Sequence, residues 1–495
     1  MSMDRRSFLK LGGVAALGSS AAGAAFAADH PAAATTSAPP IGKADYELRI
    51  GRSLVELAPD TIVSTKTYNG QFPGPLIRLR QGQQVTVDVH NDTELPEQLH
   101  WHGQFLPVDV DGAAEEGTPF IPPGGMRRMS FVPGPAGFRF YHTHVVAGAD
   151  LANGQYTGLV GPVYIEPRNE PGNYDREVFL TLKEFEPFFS KGGDMAMDFL
   201  SPGAHDHALE ERGESAMHTA MKQGQPKGYE VSYRSFAING RALGHGEPIR
   251  VKSGERVLFH ILNGSATEIR SLALPGHTFK VIALDGNPVP RPAEVPVLWI
   301  GTAERISAIV EMKHPGTWVL GDLADDDRGH GMGVVVEYAG HRGKPQWVKP
   351  KPFHWDYRRF ALPNAKVATP DEVIEMTFAK QNAADGGFNR WTINDIAFDM
   401  QAMKPMFHLQ HGKRYRLRMH NASDDIHPMH LHRHSFEITR IAGQPTAGLI
   451  KDVAMLGGYQ TMEVDFTADQ LGLSLFHCHM QLHMDFGFMA LFNCA

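Results

Sequence analysis

Four pairs of histidines separated by one residue stand in this chain: His100/His102, His142/His144, His430/His432 and His477/His479. On an extended strand, side chains two apart share a face, so each pair aims two imidazoles at one point. Clustered imidazoles lose hydration on burial and repel one another when protonated, and a bound cation removes both penalties. Imidazole suits zinc, copper, iron and nickel. Any one pair could be a coincidence of the surface, but four in matched strands point to a metal cluster.

Cys478 narrows the choice of metal. It lies between His477 and His479, so on a strand its thiol faces away from both. It can bind one ion while its neighbours bind others. His483 follows five residues on, and His427 precedes the His430/His432 pair. One cysteine with two histidines is the ligand set of a blue-copper site, whose fourth ligand is weak and axial. The His-Cys-His backbone would join that ion to the others through covalent bonds, a link for which a structural zinc site has no use.

Strands must hold these side chains, and an internal repeat supplies them. Residues 82–91 (GQQVTVDVHN) read as a strand of alternating apolar residues closed by asparagine, and 254–263 (GERVLFHILN) and 412–421 (GKRYRLRMHN) repeat it. A second shared stretch follows in each copy, at 137–142 (GFRFYH), 316–321 (GTWVLG) and 472–477 (GLSLFH). The middle copy has no histidine pair. Gly321 stands where the others have His142 and His477, and its His277 and Phe279 correspond to His434 and Phe436. Three units, at about 45–168, 172–341 and 350–495, predict an all-β chain of three consecutive β-sandwiches. The proline-rich stretch 343–352 reads as the second linker.

Composition agrees. A length of 495 residues suggests two to four domains, and 51 glycines with 34 prolines favour many turns. A net charge of −8 gives no reason to expect nucleic acid or an anionic membrane as partner. Two cysteines against 26 histidines exclude a disulfide scaffold. Cys494 has no partner but Cys478 and reads as a free thiol or a site of intermolecular contact. Residues 4–10 (DRRSFLK), an Ala/Gly/Leu run and the small-residue site 25–27 (AFA) mark 1–27 as a signal peptide. Its paired arginines resemble a twin-arginine export signal. Residues 28–44 read as a flexible leader, no later segment reads as transmembrane, and a periplasmic or secreted location with no stable membrane insertion is expected.

As a set, 100–103 (HWHG), 141–144 (YHTH), 427–432 (HPMHLH) and 477–483 (HCHMQLH) resemble the bacterial three-domain, laccase-like multicopper oxidases. Through the repeat, the resemblance extends over nearly all of the chain after the signal. It implies three consecutive cupredoxin-like Greek-key domains and four copper ions. By motif, type 1 copper takes His427, Cys478 and His483, type 2 takes His100 and His430, and the type 3 pair takes His102, His142, His144, His432, His477 and His479. The resemblance implies one-electron oxidation of a phenol or aromatic amine at type 1, with His483 as the edge nearest solvent. Electrons then pass along Cys478 to His477 and His479, and the trinuclear cluster reduces O₂ to water. The full set of 11 ligands counts against the family's copper-free structural members.

Two departures from the family pattern matter. The axial position falls on Phe488, which cannot ligate and would favour a higher copper potential; a slip of one residue would place Met489 there instead. Where some bacterial members carry Glu after the last type 1 histidine, this chain has Met484, then Asp485. Proton supply then leans on Asp111, before Gly112, which resembles the family's acidic residue but also reads as a turn aspartate. Met195, Met197, His205, His207, Met217, His218 and Met221 form one methionine- and histidine-bearing stretch, and Met400, Met403 and Met406 a second. Thioethers suit Cu(I), so a cuprous oxidase is the alternative enzyme, although methionines also fill packing gaps. The insert near 190–225 could cover type 1 copper and restrict access. A non-catalytic copper-binding protein is the alternative of another class. His90, His411, His420 and His434 read as surface or packing residues.

Overall fold

The computed structural model describes residues 42–168, 173–190, 204–224, 227–362 and 366–495. The signal read at 1–27 lies outside the described residues, as do Met195 and Met197.

Each repeated stretch starts on a glycine in the left-handed region: Gly82, Gly254 and Gly412 have φ of 78°, 82° and 82°. A side chain there would be strained, so glycine closes the turn and launches the strand. The strands are Val85–Asn91, Arg256–Asn263 and Arg414–Asn421. Burial alternates along the first and third with the period of a half-buried strand, while almost all of the second is buried. Each pairs in parallel with an earlier strand and antiparallel with a later one.

The asparagine that ends each copy does the same work three times. Asn91 donates to the carbonyls of Leu95 and Ile121, Asn263 to those of Glu268 and Ile300, and Asn421 to those of Asp425 and Gly457. Its side-chain oxygen accepts the backbone N–H of Thr93, Ser265 or Ser423, two residues on. The asparagine thereby fixes the loop that crosses to the opposite sheet, where the histidine-bearing strand begins.

Among the described residues six sheets result, two per unit. In the third unit one sheet runs Phe388–Ile393, Glu372–Asp385, Arg414–Asn421, Thr461–Thr467, Phe436–Ile441, Gln444–Lys451. The other runs Phe407–Leu409, Met489–Cys494, Gly472–Cys478, His427–Leu431, Val453–Leu456. The second unit repeats this order strand for strand, and the first has two four-stranded sheets. Apolar side chains from both sheets fill the first unit, among them Leu48, Val87, Trp101 and Val163. A continuous core runs through the second and third, and Phe138, Phe140, Phe185 and Val453 close the junction of all three. Among the described residues only His207–Lys222 is a long helix; it packs on Glu372–Asp385. Among the described residues, no helix is long and apolar enough to cross a membrane.

The buried asparagines make a stability prediction. Asn263→Ala leaves a buried carbonyl, of Ile300, and a part-buried one, of Glu268, without this donor and should cost about 2 kcal/mol, seen as a lower urea midpoint of the metal-free protein. An unchanged midpoint would show that the clasp does not hold the crossing loop.

Candidate metal centre

Strand pairing brings the histidines together before any tertiary contact is considered. In the first unit His100 lies directly across from His142, and in the third His430 lies across from His477. The matching pair in the second unit is Ala273 and Gly321, which offers no ligand atom. Only His100/His102 lies wholly within a strand. The other strands end at His142, Leu431 and Cys478, so His144, His432 and His479 follow where the chain leaves the sheet. Their rings still turn the same way as their partners': centroids lie 6.1 Å apart for His142/His144, 4.9 Å for His430/His432 and 5.5 Å for His477/His479.

The two units interlock ring on ring. His100 stacks on His432 at 4.0 Å and His102 on His430 at 3.8 Å. Ligand atoms within 4.8 Å of one another group as His100/His102/His142, His100/His430/His432 and His144/His432/His477. All eight histidines are buried. Burial, and then mutual repulsion, holds His102, His142, His430, His432, His477 and His479 well below the ordinary imidazole range. Burial also works downward on His144, but the carboxylate of Glu115 outweighs it and raises this one. Neutral imidazole is the metal-binding form.

Hydrogen bonds at the far side of each ring decide which nitrogen faces inward. Nδ1–H of His100 donates to the carbonyl of Asp111 at 2.8 Å, that of His142 to Thr143 at 2.7 Å, that of His430 to Asp452 at 2.7 Å and that of His477 to Cys478 at 2.9 Å. Nδ1 of His432 meets the Asp111 carboxylate at 3.0 Å. His102 is reversed: its Nε2 meets the Asp452 carboxylate at 3.2 Å. Nδ1 of His144 lies 3.5 Å from the Glu115 carboxylate, and the buried ring nitrogens left without a protein partner are Nε2 of His100, His142, His144 and His430, Nδ1 of His102, and both nitrogens of His479. Orphaned lone pairs converging from two units fit a metal cluster and little else.

Cys478 takes the other direction. Its Sγ lies 3.7 Å from Nδ1 of His427 and 3.6 Å from Nδ1 of His483, and these nitrogens are 3.2 Å apart. The centre of that triangle is about 2 Å from each corner, close to a metal–imidazole bond length. His483 comes from the short helix Gln481–Asp485. This helix is anchored by Gln481 and Asp485, whose side chains bond the backbone of Val145, Ala147, Gly148 and Gln155. Of the three residues only His483 has any exposure, 3%, and Trp391 stacks on its ring at 4.0 Å. Phe488 sits edge-on to His427 at 4.7 Å. Met489 packs elsewhere, with Leu475, Met484 and Leu491, against which Met400 and Met403 also rest. Met489 therefore packs with that group and not at the triangle.

Carboxylates line the cluster wall. Asp111 closes the helical turn Val108–Asp111. Burial works to raise its carboxyl, but His100 and a hydrogen bond from Glu116 hold it below the ordinary value. Burial, and then Asp111, pushes Glu116 well up. Sequence reasoning had singled out Asp111 but missed Glu115, Glu116, Asp452 and Trp391, none of which sits in a motif. On the other side, Oγ of Ser423 bonds Nε2 of His427 at 2.9 Å and lines a cavity of about 270 Å³ with Met217, His218, Lys380, Asp424 and Tyr459. Met217 accepts a hydrogen bond from Asn382 at 3.3 Å. Cys494 is buried and bonds the carbonyl of Ala468, so it is free but does not present an intermolecular contact.

Multicopper oxidase family profiles match residues 52–170, 209–337 and 368–495. The multicopper oxidase MmcO of Mycobacterium tuberculosis is 31% identical over 443 residues, which cover 85% of this chain and 81% of that protein. The chain belongs to the multicopper oxidases. Laccase-4 of Thanatephorus cucumeris is 25% identical over 483 residues, covering 86% of this chain and 85% of that one. The crystal structure of a multicopper oxidase from Pseudomonas thermotolerans superposes with a TM-score of 0.67 at 25% identity, covering 92% of this chain and all of that one. As a multicopper oxidase the chain is a copper-dependent oxidoreductase with O₂ as acceptor, built of cupredoxin-like β-sandwiches and binding one type 1, one type 2 and two type 3 coppers.

Close backbone approach at the cluster wall yields a further prediction. Gly112 has φ of 107°, and a Cβ there would stand 2.0 Å from the carbonyl oxygen of Leu99 and 2.5 Å from Cα of His100. Gly112→Val should destabilise the metal-free oxidase by about 3 kcal/mol and lower its copper content. A variant with wild-type stability and copper would show that the Asp111 turn tolerates displacement.

Proposed function

We propose that this oxidase is laccase-like and takes single electrons from phenols or aromatic amines. In this reading type 1 copper is held by His427, Cys478 and His483, type 2 by His100 and His430, and the type 3 pair by His102, His142, His144, His432, His477 and His479. One observation supports it: Sγ of Cys478 belongs to one ligand group and the ring of its neighbour His477 to another, with the ring of His479 5.5 Å from that of His477. When bound, the coppers accept electrons one at a time and deliver four to O₂.

The chain's own residues do the rest. Cys478 and its two neighbours give electrons a covalent route between the ligand groups. Trp391 covers the face of His483 and keeps water from it. The cavity beside Ser423 has room for one aromatic ring, and Asp424 at its wall can accept the hydrogen bond of a phenolic hydroxyl. Asp111, against His432 and backed by Glu116, handles protons at the cluster. The repeat units act as domains at about 45–168, 172–341 and 350–495, and the signal at 1–27 sends the folded chain through the twin-arginine machinery to a periplasmic or secreted location.

Cuprous oxidation is the second reading, because Met217, His218 and Asp424 share that cavity. Met217→Leu should leave kcat/KM for a phenol and for Cu(I) both nearly unchanged. A fall of about tenfold for Cu(I) alone, or about 1.4 kcal/mol, would decide for the metal ion. Copper-loaded wild type should be intensely blue and consume O₂ with a phenolic donor, and Cys478→Ser should abolish both colour and O₂ uptake. A colourless loaded protein, or a serine variant still consuming O₂, would overturn the oxidase reading; a chain that binds copper without ever consuming O₂ is a binding protein.

A further inference from the structure

Asp452 touches histidines of both ligand-bearing units. Its carbonyl accepts from Nδ1 of His430, in its own unit, at 2.7 Å, and its carboxylate meets Nε2 of His102, in the first unit, at 3.2 Å. Asp111 mirrors it: the carbonyl takes His100 of its own unit and the carboxylate takes His432 of the third. The mirror is not complete. Asp111 binds two Nδ1 atoms, whereas Asp452 binds one Nδ1 and one Nε2, so His102 alone among the oriented rings presents Nδ1 inward.

The Asp452 carboxylate is itself held by the unit that has no cluster ligands. Arg305 makes a two-pronged contact, Nη1 to Oδ1 at 2.7 Å and Nη2 to Oδ2 at 2.6 Å. Arg139 of the first unit adds Nη1 to Oδ2 at 3.0 Å. Asp285, also of the second unit, grips the backbone: its Oδ2 accepts from the N–H of Asp452 at 3.3 Å and of Val453 at 3.1 Å, and takes Nζ of Lys451 at 2.9 Å. Asp452, Arg139, Arg305, Asp285 and Lys451 are all fully buried. A forked guanidinium fixes both the position and the rotation of a carboxylate.

We infer that Asp452, locked by Arg305 and Arg139, is a positioning residue that selects the Nε2–H tautomer of His102 and so turns its Nδ1 to the cluster. The second unit then contributes to the cluster through Arg305 and Asp285 without supplying a ligand. The assignment of His102 to copper rests on the oxidase reading above; the tautomer does not.

Two readouts separate these claims. In metal-free protein labelled with ¹⁵N-histidine, with His102 identified by the signal lost in His102→Gln, wild type should carry its proton on Nε2. Asp452→Leu should lose that preference, and Asp452→Asn, whose amide oxygen still accepts, should keep it. In copper-loaded protein, Arg305→Met should retain the blue type 1 colour while cluster affinity for copper falls about 10- to 100-fold; Arg305→Lys, milder in packing, should show a smaller loss in the same direction. A wild-type His102 protonated on Nδ1, an Asp452→Leu variant with an unchanged tautomer, or an Arg305→Met variant with full cluster copper overturns the inference. The expected tautomers in a chain whose histidine pairs take no copper would support the positioning role and overturn the oxidase reading.

Discussion

A neutral imidazole has one lone pair, and the site depends on where each of those lone pairs points. Eight rings crowded by strand pairing would repel one another and lose their hydration without return. Here a carbonyl or carboxylate on the far side of most rings pins the proton outward, leaving the inner nitrogen bare. The polypeptide therefore folds around a set of acceptors that the protein leaves unsatisfied and that bound cations would satisfy. Protein carbonyls supply most of this orientation at no cost in charge, and the two rings oriented across units, His102 and His432, are met by carboxylates.

Much of this was legible from local pattern. The histidine spacing, the closing asparagines and the glycines that launch the strands are short-range signals with a fixed mechanical meaning, and each recurs in three dimensions as in sequence. The segment around Cys478 was expected to be extended; the strand in fact ends on the cysteine, and the following helix swings His483 back to the thiol. That helix was not legible, because a five-residue turn has no period to read. Nor were Asp452, Arg139 and Arg305, which sit in ordinary strands and meet only because three units close on one point. Trp391 carries no local signal, since stacking on His483 depends on a strand whose register the sequence does not show.

The middle unit shows how a repeat can change task while keeping its frame. Ala273 and Gly321 occupy the cross-strand positions held by histidine in its neighbours, yet the sheet order is kept strand for strand. Its buried charges face outward to the junction: Arg305 and Asp285 serve a residue more than a hundred positions away. A unit without ligands is thus not a spacer.

Strand order also sets a chronology. His100 leaves the ribosome long before His479, and every cluster group that bridges the first and third units needs both. A nascent chain that ends before the third unit carries at most half of these shared groups. The group His100/His102/His142 is complete within the first unit, whereas the groups that draw on both units wait for the third.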